Sequence, residues 1–150
     1  YNEDLLANWQ AFCAAPGCAF CDYAGYHYRQ HADSASRRGL PPQSLDDQRA
    51  VALHIRESVP AQWPALQQSA DAFYFEKLVY LTSMILRREN TELYRVQYGE
   101  MLIAISSGLK DRRLGRNPRL PLVMRLSAVA TVRYPALWRK LCRNYLKDRQ

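Results

Sequence analysis

No stretch of this sequence is apolar for long enough to cross a bilayer. The longest apolar run, Leu78 to Leu86, is interrupted by Thr82 and Ser83 and falls well short of the ~20 residues that a membrane-spanning helix needs. Internal repeats, low-complexity tracts and a charged leader with an apolar core are also absent. We therefore expect a soluble or peripheral protein. Because the sequence opens with Tyr1 rather than Met, we also expect it to be a piece of a longer one.

Charge is unevenly distributed along the 150 residues. The segment from Lys110 to Gln150 has 12 Lys or Arg and 2 Asp or Glu, a net charge of +10, whereas the other 109 residues carry a net charge of −3. A basic segment attracts nucleic acid, anionic lipid or acidic polymers, and net charge alone does not choose among them. The sequence has no recognition-helix signature and no basic and aromatic residues interleaved on one face, so we expect no nucleic-acid binding.

Helical periodicity dominates from Ser44 onward, so the expected fold class is mainly α. Ser44 with Asp47 predicts a capped helix that Pro60 ends, with Val51, Ala52, Ile55 and Val59 facing inward. Pro64 suits the first turn of the next helix. The segment Phe73 to Leu86 is apolar nearly all round and should be the central helix of a bundle.

Further helices are predicted in the second half of the chain. One follows Thr91 and is ended by Ser106-Ser107-Gly108, and another spans Leu122 to Arg133. Pro135 either kinks that helix or begins a last one, in which the residues expected to face inward are Trp138, Leu141, Cys142, Tyr145 and Leu146. Its outward face would be basic, with Arg139, Lys140, Arg143 and Lys147. This amphipathic helix either packs on the bundle or lies on an anionic membrane surface.

Two adjacent acids, Glu3 and Asp4, stand at the start of the first predicted helix. Its apolar residues recur at helical spacing, namely Leu5, Leu6, Trp9, Phe12 and Cys13. The helix dipole favours negative charge at this end. A carboxylate held at a rigid helix start can accept a proton from a hydroxyl group, which is the role of a general base. The plainer interpretation is that both acids only cap the helix.

Two short strands are predicted next, Cys18–Asp22 and Tyr26–Arg29, and they lead into a polar loop that ends at Ser36. The side chains in this loop suit a phosphate group. Arg29 offers a planar fork of donors, His31 donates a hydrogen bond or approaches a metal, and the serines add hydroxyl donors. The same loop is equally an ordinary polar surface connection.

This succession resembles the C-terminal part of the catalytic domain of family 2 bacterial glycosyltransferases, which have the GT-A fold. Those enzymes often read Glu-Asp-Leu-x-x-Asn at a helix start, which is matched here by Glu3, Asp4, Leu5 and Asn8. A second pattern, Tyr-x-Tyr-Arg-x-His-x-x-Ser, is matched by Tyr26, Tyr28, Arg29, His31 and Ser34, with Ser36 close behind. The resemblance covers about the first 38 residues.

The resemblance implies two domains, separated near Gly39 to Gln43. Residues 1–38 would be a short helix and a small β-hairpin remnant of the GT-A α/β domain, and residues 39–150 would be a helical C-terminal domain. The nucleotide-binding half of such an enzyme, with its Asp-x-Asp metal motif, is not found in this sequence. We therefore expect that half to lie upstream and this chain to be inactive by itself.

The resemblance also implies a reaction. It is an inverting, single displacement that carries a sugar from a nucleotide-sugar donor to a hydroxyl of a glycan or lipid-linked acceptor, in polysaccharide or cell-surface glycan synthesis. Asp4 would be the catalytic base, Glu3 would orient it or contact the acceptor, and Asn8 would belong to the substrate site. The residues that would meet the diphosphate are Arg29, His31, Ser34 and Ser36. A divalent metal, Mg or Mn, would assist in the complete enzyme, with His31 the one candidate ligand here, and none is expected in this chain alone.

The cysteines offer a competing metal hypothesis. Cys13, Cys18 and Cys21 form a C-x4-C-x2-C run that echoes an iron–sulfur spacing. With Cys142 far away they do not give a closed four-ligand set, and free cysteine is commonly a small buried hydrophobe. We expect no metal at these cysteines. Reduced thiols would suit the cytoplasmic location that we expect, with peripheral contact at the inner membrane face left open.

A function of another class explains the basic C-terminus without a missing half. In that alternative the chain is a basic helical binding module for nucleic acid or a protein partner. A third interpretation is a helical scaffold in which the acidic and His/Arg motifs are accidental. Steep loss of duplex binding with added salt would favour the binding module.

Overall fold

The computed structural model describes residues 3–23 and 41–145 of the chain. Within these ranges the fold is helical, without strands, and two short 3-10 turns lie at Pro64–Leu66 and Glu92–Tyr94. The α-helices are α1 (Glu3–Ala14), α2 (Pro42–Gln62), α3 (Gln67–Leu86), α4 (Arg95–Lys110), α5 (Arg112–Gly115), α6 (Leu122–Arg133) and α7 (Pro135–Tyr145). The expected mainly α class is confirmed. None of the described helices is both long and apolar enough to cross a membrane.

Helix α3 is the centre of the bundle, as its sequence predicts. It contacts α2, α4, α6 and α7, and it can do so because apolar residues occur all round it. Its largest buried side chains are Phe75, Leu78, Leu81 and Ile85. The core around them is completed by Leu45 of α2, Met101 and Ile105 of α4, and Leu114, Leu120 and Ala128. Removal of this apolar surface from water is the main force that holds the helices together.

Two hydroxyl groups lie inside this core and donate to the backbone of their own helix, and Thr82 Oγ1 also lies 3.8 Å from Met101 Sδ of α4. Thr82 Oγ1 donates to the carbonyl oxygen of Leu78 at 2.7 Å, and Ser83 Oγ donates to that of Val79 at 2.9 Å. Each hydroxyl is therefore satisfied by the preceding turn of its own helix. This explains how α3 buries polar residues at its centre.

The predicted start and end of α2 are both wrong. The helix begins at Pro42 rather than after a Ser44 cap, because proline suits the first turn of a helix, where a backbone N–H has no partner. Ser44 is buried, and its Oγ accepts a hydrogen bond from Gln48 Nε2 at 3.3 Å. At the other end the helix runs through position 60 to Gln62, and the Trp63 N–H still donates to the Val59 carbonyl at 2.7 Å. A proline removes one backbone donor, and the packing of buried Val59 outweighs that loss.

The predicted stop of the fourth helix at residues 106–108 is also wrong, since α4 continues to Lys110. Gly108 lies on the buried side of the helix against the Phe75 ring, so it provides close packing and does not end the helix. By contrast, the structure confirms the predicted bounds of α6 and shows that Pro135 begins a separate helix.

The β-hairpin remnant is not seen in the described residues. Residues 18–22, the first predicted strand, have irregular backbone, and every residue from 15 to 23 is exposed. A strand needs a neighbour to pair its backbone groups, and an alternating apolar pattern alone does not supply one. The second predicted strand, 26–29, lies outside the described residues.

The inward stripe predicted for α7 is partly wrong. Cys142 is buried and Trp138 is half-buried, as expected, but Leu141 is 46% exposed. The helix is rotated so that Arg139 lies toward the bundle, where its guanidinium Nη2 reaches the carbonyl oxygen of Glu89 at 3.5 Å. Long arginine side chains can cover apolar surface while keeping the charge near water, which allows this arrangement. Leu146 lies outside the described residues.

Candidate functional site

The first turn of α1 presents two exposed carboxylates. Glu3 and Asp4 begin the helix, and the Leu5 N–H donates to Asp4 Oδ1 at 2.8 Å. The first amides of a helix have no intrahelical acceptor, so a carboxylate beside them satisfies a donor and meets the positive end of the helix dipole. Asp4 thus has the local role of a helix-start residue and keeps an exposed position from which it can meet a ligand.

The opposite side of α1 is fixed to the bundle. Leu5 and Trp9 pack on a small apolar cluster formed by Ile55, Val59 and Ala70, which come from α2 and α3. The Trp9 ring also meets the Trp63 ring, with centroids 5.9 Å apart and an angle of 78° between the planes. Such an edge-type contact is favourable for aromatic rings. It fixes α1 against the end of α2.

Asn8 is exposed and lies one helical turn after Asp4. Residues four apart on a helix share a face, so the structure brings the predicted base and the predicted amide to the same side of α1. The four loop residues Arg29, His31, Ser34 and Ser36 lie outside the described residues. Their approach to Asp4 therefore stays a prediction.

A cleft of about 440 Å³ separates α1 from α2. Trp9, Gln10 and Cys13 line one wall, and His54, Ser58 and Gln62 line the other. The residues combine one aromatic ring with amide, hydroxyl and imidazole groups, a mixture that suits a ligand with both apolar and hydroxylated faces. The cleft was not foreseen, because the α2 residues are spaced along a helix whose packing partner could not be read from the sequence.

An ion pair between α2 and α3 was also missed. Arg56 Nε lies 2.7 Å from Asp71 Oδ1, the Asp71 side chain is only 7% exposed, and the guanidinium sits 5.2 Å from the centre of the Tyr74 ring. The sequence did contain a signal that indicates such an ion pair. Asp71 stands among alanines and apolar residues at the start of the central helix, and a carboxylate in such surroundings needs a cationic partner.

Next to this ion pair is a second cleft, of about 640 Å³, between the start of α3 and the turn after α5. Asn117 lines this cleft. Its Nδ2 donates to the Gln68 carbonyl oxygen at 2.7 Å, and its Oδ1 accepts from the Arg119 N–H at 2.9 Å. Because the buried amide group is used on both sides by the protein itself, Asn117 is a structural support and not a ligand-binding group.

The metal hypotheses find no donor set in residues 3–23 and 41–145. No three His, Cys, Asp or Glu side chains converge there. The four cysteines are free thiols, with Cys18 and Cys21 exposed, Cys13 half-buried and Cys142 buried. Burial raises the pKa of the Cys142 thiol, against the smaller opposing effects of Arg87 and Ser83.

Comparison with known proteins adds no family assignment. The chain matches no family model, no curated protein and no solved structure.

Proposed function

We propose that this chain is the C-terminal region of an inverting glycosyltransferase, which moves a sugar from a nucleotide-sugar donor to an acceptor hydroxyl in the synthesis of a polysaccharide or cell-surface glycan. One observation carries the proposal. The first turn of α1 holds two exposed carboxylates, and the other side of the same helix is fixed to the bundle by Leu5 and Trp9. A base must be held rigidly to accept a proton at the moment of attack, and this arrangement provides that.

Asp4 is the base in this proposal. Its carboxylate accepts the proton of the acceptor hydroxyl while the acceptor oxygen forms a bond to the anomeric carbon and the bond from that carbon to the diphosphate breaks. Glu3 orients Asp4 or contacts the acceptor, and Asn8 donates or accepts a hydrogen bond one turn further along the same exposed side. The electron pair of the broken bond leaves with the nucleoside diphosphate.

The donor is bound by the loop residues and by a part of the enzyme joined to this chain. Arg29, His31, Ser34 and Ser36 meet the diphosphate in the proposal, because their guanidinium, imidazole and hydroxyl groups donate to phosphate oxygens. A divalent Mg or Mn ion would neutralise charge on the leaving group. The described residues do not fit such an ion, since no three ligand-type side chains converge among them.

The helical bundle has a place in this proposal as the support that fixes α1. The cleft between α1 and α2 is lined by Trp9, which lies on the other side of α1 from Asp4. In this proposal the acceptor therefore meets the exposed side of α1 and not this cleft.

The proposal is tested by comparing the 150-residue chain with the longer gene product that contains it. Both are incubated with a panel of uridine, guanosine and thymidine diphosphate sugars and Mg or Mn, and released nucleoside diphosphate is measured. We expect release only from the longer product, and we expect Arg29→Ala to raise its KM for the donor. Arg88→Ala, which removes an exposed arginine two residues after the end of α3, is the matched control and should leave KM unchanged. Turnover by the 150 residues alone would contradict the proposal, as would a longer product that has no nucleotide-sugar lobe.

A further inference from the structure

Helix α6 fully buries only small residues and leaves four larger apolar residues exposed, while Met124 and Val132 are half-buried against the core. Its buried side chains are Ser127, Ala128 and Thr131, and the Thr131 hydroxyl donates to the Ser127 carbonyl oxygen at 2.8 Å. Leu122 is 69% exposed and Leu126 60%. Ala128, with Met124 and Val132 half-buried beside it, makes the contact with the core, so the outer leucines do not contribute to it. Their presence on the surface requires another explanation.

The exposed residues of α6 follow a single stripe. Leu122, Leu126, Val129 and Arg133 are separated by four, three and four positions, which places them on one side of the helix. All four are exposed, and Val123 beside them is 62% exposed. We call these five residues the outer stripe. It is apolar over the length of the helix and ends in an arginine.

Helix α7, which contacts α6, continues this character. Tyr134 joins the two helices and is exposed, and Leu137 and Leu141 are exposed one turn apart on α7. Lys140 is exposed between them. Apolar side chains with cationic neighbours therefore extend over both helices. Isolated exposed leucines are common on protein surfaces, but a set of this kind marks an interaction site.

The charge of this region points to an anionic partner. Residues 112–147 contain ten Lys or Arg and no Asp or Glu. Helix α4 provides a contrast. Its exposed Val96 and Ile103 share their side of the helix with Glu100, whose carboxylate pairs with Arg49 at 2.6 Å. Acidic groups are thus mixed with apolar ones on α4, whereas α6 and α7 have none.

We propose that the outer stripe of α6, with Tyr134, Leu137 and Leu141, binds the surface of an anionic lipid bilayer. The leucines enter the boundary between head groups and acyl chains, while Arg133 and Lys140 meet lipid phosphates. Apolar side chains combined with Lys and Arg are what holds a helix in this position. The sequence suggested membrane contact through the basic face of the last helix, and this proposal places the main contact on α6 instead. This proposal does not depend on the glycosyltransferase activity.

The test is sedimentation of the 150-residue chain with vesicles. Phosphatidylcholine vesicles with and without about a quarter phosphatidylglycerol are compared at low and high salt. We expect binding to the anionic vesicles only, weakened by salt. The Leu122→Ser/Leu126→Ser variant should lower the partition coefficient by about tenfold or more, because burial of both leucines in the interface is lost. Phe12→Ser is the matched control, an exposed apolar residue on α1, and should bind like the unaltered chain.

A second variant and a second readout keep the result decisive. Leu137→Ser/Leu141→Ser tests the α7 part, and far-ultraviolet circular dichroism shows whether each variant is folded. Insertion is read from the fluorescence that Leu126→Trp adds to that of the three native tryptophans of the unaltered chain. Lipids brominated on their acyl chains should quench this added fluorescence, whereas they should not quench the fluorescence that Phe12→Trp adds. The proposal is overturned by any of three results. The first is equal binding to vesicles by the leucine variants and the control. The second is salt-sensitive binding to duplex DNA without binding to vesicles. The third is a chain that does not bind vesicles and forms a dimer, which the Leu122→Ser/Leu126→Ser change dissociates.

Discussion

The indole rings of Trp9 and Trp63 meet nearly at right angles, with their centroids 5.9 Å apart. Trp9 belongs to α1, and Trp63 directly follows the last residue of α2. The contact therefore connects the helix that carries the candidate base to the helical bundle. Whether Asp4 is held rigidly depends on this contact and on the Leu5 side chain beside it.

Replacing Trp9 with alanine should detach α1. We expect a loss of about 2 kcal/mol in the free energy of unfolding, from the lost ring pair and the lost apolar contact with α2. Limited proteolysis should then cut between α1 and α2 more rapidly. Phe12→Ala, on the exposed side of the same helix, is the control and should change neither measurement. Equal effects of the two substitutions would show that the Trp9 contact does not hold α1.

Two glycines of α4 should respond to alanine in opposite directions. A Cβ at Gly108 would lie 2.5 Å from Cε2 of the buried Phe75 ring, whereas a Cβ at Gly99 would meet nothing within 4 Å. Gly108→Ala should lower the free energy of unfolding by about 1–2 kcal/mol, since the cost of overpacking exceeds the gain in helix propensity. Gly99→Ala should raise the free energy of unfolding, measured with urea, by about 0.5–1 kcal/mol. Stabilisation by both substitutions would mean that Phe75 does not pack on Gly108.

The Arg56 and Asp71 pair should show a measurable coupling. Asp71→Ala should lower the free energy of unfolding by about 2 kcal/mol. This loss is smaller than the loss on breaking a fully buried ion pair, because the Arg56 side chain is 31% exposed and stays partly solvated. A double-mutant cycle with Arg56→Ala isolates the interaction. The matched control is the exposed pair of Arg95 and Glu92, 3.4 Å apart, for which no coupling is expected. The same small coupling in both cycles would refute a structural role for the Arg56 pair.

The sequence predicted the parts of the fold that depend on local pattern. The bounds of α6 and the core role of Phe73 to Leu86 followed from helical periodicity and from the flanking residues. The errors arose where tertiary packing overrides a local signal. Packing of Val59 carries α2 through position 60, and packing on Phe75 places Gly108 inside a helix that was predicted to end there.

The candidate site could be predicted only in part. The placement of Glu3 and Asp4 in the first turn of α1 followed from the sequence, because it is a property of one helix. The Arg56 and Asp71 pair, the α1–α2 cleft and the outward leucines of α6 depend on how helices pack together. The local pattern does not show which side of α6 faces the core, since both sides of the helix carry residues that can be buried.

The buried Cys142 thiol should react more slowly than the exposed thiols of Cys18 and Cys21. Burial raises its pKa above the ordinary value, so the folded protein holds this proton more tightly than the unfolded chain does. Burial of the neutral thiol therefore makes its full contribution to the free energy of unfolding below the pKa of the unfolded chain, near 9.0. This contribution is lost as the pH rises through the pKa of the folded protein. Iodoacetamide labelling from pH 8 to 10 with mass spectrometry should modify Cys142 last, and labelling in urea should abolish the order. Early modification of Cys142 in the folded protein would show that α7 does not bury it.

The central claim is that Asp4 removes the proton from the acceptor hydroxyl. Its most direct test is the transfer rate of the proposed full-length enzyme with Asp4→Asn, which keeps the size of the side chain and removes its basicity. We predict that kcat falls by about a hundredfold to ten-thousandfold, as loss of a general base requires, while the affinity for the nucleotide sugar is unchanged. Asp22→Asn, another exposed acid of the same segment, should transfer sugar at the unaltered rate. A rate in Asp4→Asn equal to that of Asp22→Asn would contradict the assignment of Asp4 as the base.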